Sequence, residues 1–180
     1  MNQRDDRAQL KPDPRAADAD DGLASLPPAL LTGHRELDAE HAMLLGMMRT
    51  LRDICTVQAS HRNCATCSSA EQRRCDSDLV GMLGDLLAFI LEHFRHEEEV
   101  MRTSLLLMLD REQCTAHMED HAAISGKVQQ IIARLDRLQT VVLIRELDAL
   151  LQTWVDNHIA LHDVLLARWM ARQTLSADPV

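Results

Sequence analysis

His93 and Glu97 sit one helical turn apart, at the end of an apolar stripe made by Met82, Leu86, Phe89 and Ile90. Residues four apart on an α-helix lie above one another on the same face. The stripe faces a core, so the imidazole and the carboxylate are carried inward with it. An ionised carboxylate in an apolar interior is expensive unless it is paired or bound to a metal. Inward cations are too few to pair with it, but further histidines recur at helical spacings. His117 and His121 are four apart, His158 is followed five residues on by Asp163, and His41 lies in an earlier segment. Five histidines and two carboxylates from four helices make a two-metal site the leading reading. A helix bundle is the architecture that builds such sites from facing side chains.

The donor set narrows the metal. Imidazole with carboxylate suits iron, manganese or zinc rather than calcium or magnesium. If both carboxylates bridge and an oxo or hydroxo group also joins the metals, one ion is saturated and the other keeps an open position. That open position is where a small molecule binds.

The chain of 180 residues suits one domain. Two Phe, two Trp and no Tyr leave Leu, Met, Ile and Val to fill the interior, which favours helix packing over a β-sandwich. A net charge of −9 provides no basic patch for nucleic acid or an anionic membrane surface. No run of about 18 apolar residues occurs to span a membrane, and the N-terminus carries no hydrophobic signal core. These features, with an odd number of cysteines, lead us to expect a cytoplasmic protein and a monomer.

Residues 1–25 are charged, rich in Ala and Asp, and almost free of large apolar groups, so they read as a mobile arm. Leu26-Pro27-Pro28-Ala29-Leu30-Leu31 reads as an extended segment lying on a bundle domain that covers residues 26–173. The spacing of His41, Leu44, Leu45, Met48 and Leu51 predicts a first helix from Glu36 or Asp38 to Val57. Residues 58–76 break the pattern and read as a long Cys-rich connection. Asp76 or Ser77 caps a second helix ending near Leu106. Asp110 caps a third, about 111 to 138, with Cys114, His117, His121, Ile124, Val128, Ile131 and Leu135 on one face. A fourth, about 141 to 173, carries Ile144, Leu147, Leu151, Trp154, His158, Leu161 and Leu165 along one side. Residues 174–180 form a short tail. The expected fold is all-α, an antiparallel up-down-up-down four-helix bundle with a flexible N-terminal arm and a Cys-rich loop between helices 1 and 2.

The ordered set Leu37-Asp38-Ala39-Glu40-His41, His93-Phe94-x-x-Glu97-Glu98-x-x-Met101, His117-x-x-x-His121 and Trp154-x-x-x-His158-Ile159-x-x-x-Asp163 resembles the signature of bacterial hemerythrins. The order and the internal spacings match over roughly residues 30–172. The resemblance implies a four-helix bundle holding two non-haem irons, oxo- or hydroxo-bridged, that bind O₂ reversibly for storage, delivery or sensing. It further implies that His117, His121 and His158 hold one iron, His41 and His93 the other, and that Glu97 and Asp163 bridge them. Family members commonly carry an aromatic residue ahead of the first helix, where this chain has Leu30 and Leu31. Glu98 and Asp38 match family positions and read as supporting or helix-start groups. His34, His61, His96 and His162 read as solvated or supporting histidines.

Two other functions fit the same residues. One is a di-iron enzyme that reduces peroxide or nitric oxide. The other is a redox or zinc sensor acting through the Cys-rich loop. Cys64-x-x-Cys67, with Cys55 and Cys75 on either side, can form a four-thiolate zinc site or a thiol–disulfide switch; unligated thiols are the plain alternative. Cys114, three before His117, reads as a small core residue.

Overall fold

The computed structural model describes residues 26–55, 62–104 and 106–176. The expected N-terminal arm, His61 and the last four residues lie outside them. The described residues are mostly helical, with no strand among them. A 3₁₀ turn at Pro28–Leu30 leads into α1 (Arg35–Asp53), α2 (Ser69–Thr103), a single turn α3 (Leu106–Leu109) and α4 (Arg111–Ile132). Then come α5 (Thr140–Trp154), a π-helical segment (Val155–Asp163) and α6 (Val164–Ser176), which follow one another without a break. Among the described residues no helix is long and apolar enough to cross a membrane.

Several boundaries differ from the expected ones, each for a local reason. The second helix starts at Ser69 rather than beyond Asp76, which shortens the Cys-rich connection and puts Cys75 on a helix. The cause is a capping box. Ser68 Oγ accepts the Glu71 backbone N–H, and Glu71 Oε2 accepts the Ser68 N–H at 2.7 Å. Leu26 to Leu31 is not extended: the Leu30 N–H reaches Pro27 O at 2.9 Å, and Leu26 and Leu30 turn into the core. Helix α4 stops at Ile132, short of residue 138, and a series of turns carries the chain to α5. Asp110 does cap α4, accepting from the Gln113 N–H. The first helix ends at Asp53, before Val57, and the last reaches Ser176.

The π segment explains the largest change of face. The Val164 N–H bonds to Ile159 O, five residues back rather than four. The extra residue advances the helix phase. Leu161 (58% exposed) and Leu165 (44%) therefore face solvent, while Leu166 (3%) and Ala167 take the inward positions.

The apolar interior forms two clusters with a polar layer between them. The larger includes Leu44, Met48, Leu51, Leu86, Ile90, Ile124, Val128, Ile144, Leu147 and Trp154. The smaller is Met101, Leu106, Cys114 and Leu166. In α2 the order runs Ile90, His93, Glu97, Met101; in α4 it runs Cys114, His117, His121, Ile124. Burying each large aliphatic side chain contributes about 1.5–3 kcal/mol. That apolar stabilisation lets the fold carry a costly polar layer through its middle.

Candidate metal centre

All seven candidate residues are buried: His41, His93, Glu97, His117, His121, His158 and Asp163. The structure brings them together. Glu97 Oε2 lies 3.1 Å from His121 Nε2, 3.4 Å from His117 Nε2, and 3.7 Å from both His93 Nε2 and His158 Nε2. Asp163 Oδ2 lies 3.0 Å from His41 Nε2, and its Oδ1 lies 3.1 and 3.3 Å from Nε2 of His158 and His117. Two four-residue sets gather donor atoms within 4.8 Å: Glu97 with His117, His121 and His158, and Glu97 with His93, His158 and Asp163. Glu97 and His158 are common to both.

The π segment is what makes Asp163 a member. On a regular α-helix a residue five beyond His158 points about 140° away from it. Hydrogen bonding to the fifth residue closes the turn one residue later and returns Asp163 to the face of His158.

Behind the donors stand three carboxylates. His93 Nδ1 donates to Glu40 (2.7 Å), His121 Nδ1 to Glu98 (2.9 Å) and His158 Nδ1 to Asp120 (2.7 Å). A carboxylate can only accept, so each contact places the ring proton on Nδ1 and turns the Nε2 lone pair toward the centre. Glu98 thus acts as expected of a supporting group. Glu40 and Asp120 were not singled out from the sequence. Their signal is position: Glu40 precedes His41, Asp120 precedes His121 and Glu98 follows Glu97, yet each serves a histidine on a different helix.

Aromatic side chains cover the rings. Phe94 stacks on His121 at 3.8 Å and 6°, Phe89 lies parallel to His93, and Trp154 meets Phe94 edge-on. Asp38 is buried but belongs to the approach to α1. Its carboxylate accepts Thr32 N and Oγ1 (2.8 Å each) and Gly33 N (3.2 Å). Gly33 takes a φ of +80°, a left-handed conformation open to glycine. Of the other histidines, His96 meets Glu40 and Glu36 at the surface. His162 stacks on His117, and His34 precedes α1.

The electrostatics describe a site that calls for positive charge. Burial and the neighbouring Asp163 push the Glu97 pKa up, but His93, His117 and His121 prevail and hold it well below the usual carboxylate range. Burial likewise opposes ionisation of Asp163, and hydrogen bonds from His117, His158 and His41 outweigh it. Burial alone would lower the His158 pKa; Asp120, Asp163 and Glu97 raise it to about 11. His93 and His117 are raised in the same way against burial.

The residues fit metal ions. Glu97 Oε1 is buried without a hydrogen-bond partner, as is His41 Nδ1. The Nε2 atoms of His117 and His158 stand 3.3 Å apart. Two imidazole nitrogens bound at about 2.1 Å to one ion, at right angles, are about 3 Å apart.

The four cysteines of the first connection lie at the opposite end of the larger core cluster. Cys55 and Cys64 are within that cluster and Cys75 packs against it, while Cys67 is half-exposed. Cys114 is buried beside Met101, Leu106 and Leu166, the small core residue expected of it. All five are thiols.

Residues 32–169 match the family model described as Hemerythrin HHE cation binding domain. No curated protein and no solved structure matches the chain.

Proposed function

The chain belongs to the hemerythrin family, and on that footing we propose that it binds O₂ reversibly at a pair of iron ions. His117, His121 and His158 would hold one iron, His41 and His93 the other, with Glu97 and Asp163 shared between them. The observation that carries the reading is the buried convergence of seven donors, three of whose imidazoles are aimed by carboxylates behind them. An iron pair with one open coordination position supplies redox-based, reversible binding of O₂.

The chain's own groups determine whether that chemistry is clean. Glu40, Glu98 and Asp120 fix the ring protons of His93, His121 and His158 on Nδ1, so Nε2 remains a donor to metal. Phe89, Phe94 and Trp154 line that layer with apolar surface and limit water, whose protons would promote loss of reduced oxygen. The neighbouring polar layer order supports an up-down-up-down arrangement as part of this reading. The chain runs from the polar layer into the larger cluster along α1, from the larger cluster to the smaller along α2, back again along α4, and from larger to smaller once more from α5 into α6. The connection holding Cys64 also meets the one holding Leu138, Cys64 N donating to Leu138 O at 3.2 Å.

A second reading, reduction of peroxide or nitric oxide, is favoured by one cavity. It has a volume of about 140 Å³ and is bounded by His117, His162, Gln113, Asp110 and Cys114, so proton-carrying groups reach the edge of the centre. Anaerobic reduction of the iron-loaded protein followed by air distinguishes the two. O₂ binding gives a visible charge-transfer band that bleaches under argon and returns in air. Irreversible oxidation with peroxide turnover selects the enzyme instead.

A further inference from the structure

Cys55, Cys64, Cys67 and Cys75 come from the end of α1, the following turn and the second turn of α2, and the fold collects them at one end of the bundle. The turn is well tied. Cys67 N donates to Cys64 O at 3.1 Å, and Gln72 Nε2 donates to the carbonyls of both Cys64 (2.8 Å) and Cys67 (3.1 Å). Cys64 N is held by Leu138 O, and Arg137 Nε meets Asp76 Oδ2 at 3.1 Å, fastening the turn and α2 to the connection between α4 and α5. Cys75 Sγ donates to Ile54 O at 3.4 Å, the carbonyl next to Cys55 in the chain. Cys55 and Cys64 are both buried.

We propose that these four cysteines bind one zinc ion as a tetrathiolate, a structural site separate from the histidine–carboxylate centre. The Cys64-x-x-Cys67 turn supplies two ligands at the spacing zinc sites use, and the flanking cysteines complete a closed tetrahedral set. The thiols also repel one another as anions. Desolvation first, and then the fields of Cys64, Glu71, Cys55 and Cys75, raise the Cys67 pKa. A divalent cation removes that penalty by replacing protons on all four sulfurs. The sulfurs are not among the donor sets gathered within 4.8 Å, so ion binding would have to draw them together.

The test is metal analysis of the full chain expressed with iron and zinc both present. Expected is one zinc per chain beyond the iron, released when a mercurial reagent titrates the thiols. The Cys64→Ser/Cys67→Ser variant should lose that zinc and keep its iron. Cobalt added after zinc removal should give thiolate charge-transfer absorption in the near ultraviolet and intense visible bands of a tetrahedral site. If the variant does not fold, the cobalt spectrum of the unaltered chain decides. Zinc absent, iron at the thiolates, a Cys64–Cys67 disulfide in the freshly isolated protein, or zinc retained by the folded variant would each overturn the proposal.

Discussion

His117 Nε2 and His158 Nε2 face each other at 3.3 Å, with Asp163 Oδ1 3.3 and 3.1 Å from them. Two lone pairs cannot face each other at that distance without a proton or a metal ion nearby, and the choice between the two sets the behaviour with pH. His158 is raised from 6.5 to about 11, so the stability its proton confers is complete below pH 6.5 and disappears as pH climbs toward 11. Glu97 and Asp163 are lowered from 4.5 and 3.8, so their contribution is complete above pH 4.5 and is lost on acidification. The metal-free protein should therefore be most stable between about pH 4.5 and 6.5. Iron loading displaces the His158 proton, so it should release protons and strengthen as pH rises through neutrality. Thermal melts of chelator-treated protein and a pH-stat record of ferrous addition check both. A metal-free melting temperature that keeps rising into the alkaline range would contradict this relationship.

Asp120 accepts the Nδ1 proton of His158 from the edge of the site, and its own pKa is lowered chiefly by that hydrogen bond. Asp120→Asn keeps the shape and removes the charge. Iron affinity should fall about 10- to 100-fold, the usual cost of losing such a supporting carboxylate. Helix content should stay unchanged by circular dichroism, and competition with a chelator of known affinity measures the fall.

Adjacent leucines test the winding of the last helix. Leu166→Ala empties a buried position and should cost about 2–5 kcal/mol. Leu165→Ala, at a site 44% exposed, should cost well under about 1 kcal/mol. Denaturant melts of the two variants would show the reverse order if the helix were α-helical throughout.

Ser68→Ala removes one half of the capping box that starts α2. The expected loss is about 1 kcal/mol, and hydrogen exchange at Ala70 to Gln72 should quicken without change in iron content. Unaltered exchange there would place the helix start elsewhere.

The five histidines and Glu97 were legible because helical spacing forces a whole stripe inward once part of it is apolar, whereas Asp163, five beyond His158, does not follow from that rule. His93 with Glu97 and His117 with His121 follow directly from that rule. Glu40 and Asp120 escaped it because they sit a residue away from the inward face and act across to another helix, a relation no single-helix pattern contains. Leu161 and Leu165 were misplaced for a different reason. The residue count from His158 to Asp163 was visible, but its meaning depends on a change of hydrogen-bond partner that side-chain spacing does not reveal. The early start of α2 was written in Ser68 and Glu71; the surrounding Ser, Asn and Cys concealed it.

The wide turn between His158 and Asp163 makes the spacing there a matter of length rather than of composition. Exposed Ala160 and Leu161 can change identity at little cost, and deleting either would remove the extra residue, leaving His158 and Asp163 four apart on a regular α-helix and still on one face. An added residue there would instead turn Asp163 away from the buried histidines and the inward face away from α6 together, by about 100°. Tolerance of substitution and deletion should therefore coexist with intolerance of insertion at the same two positions.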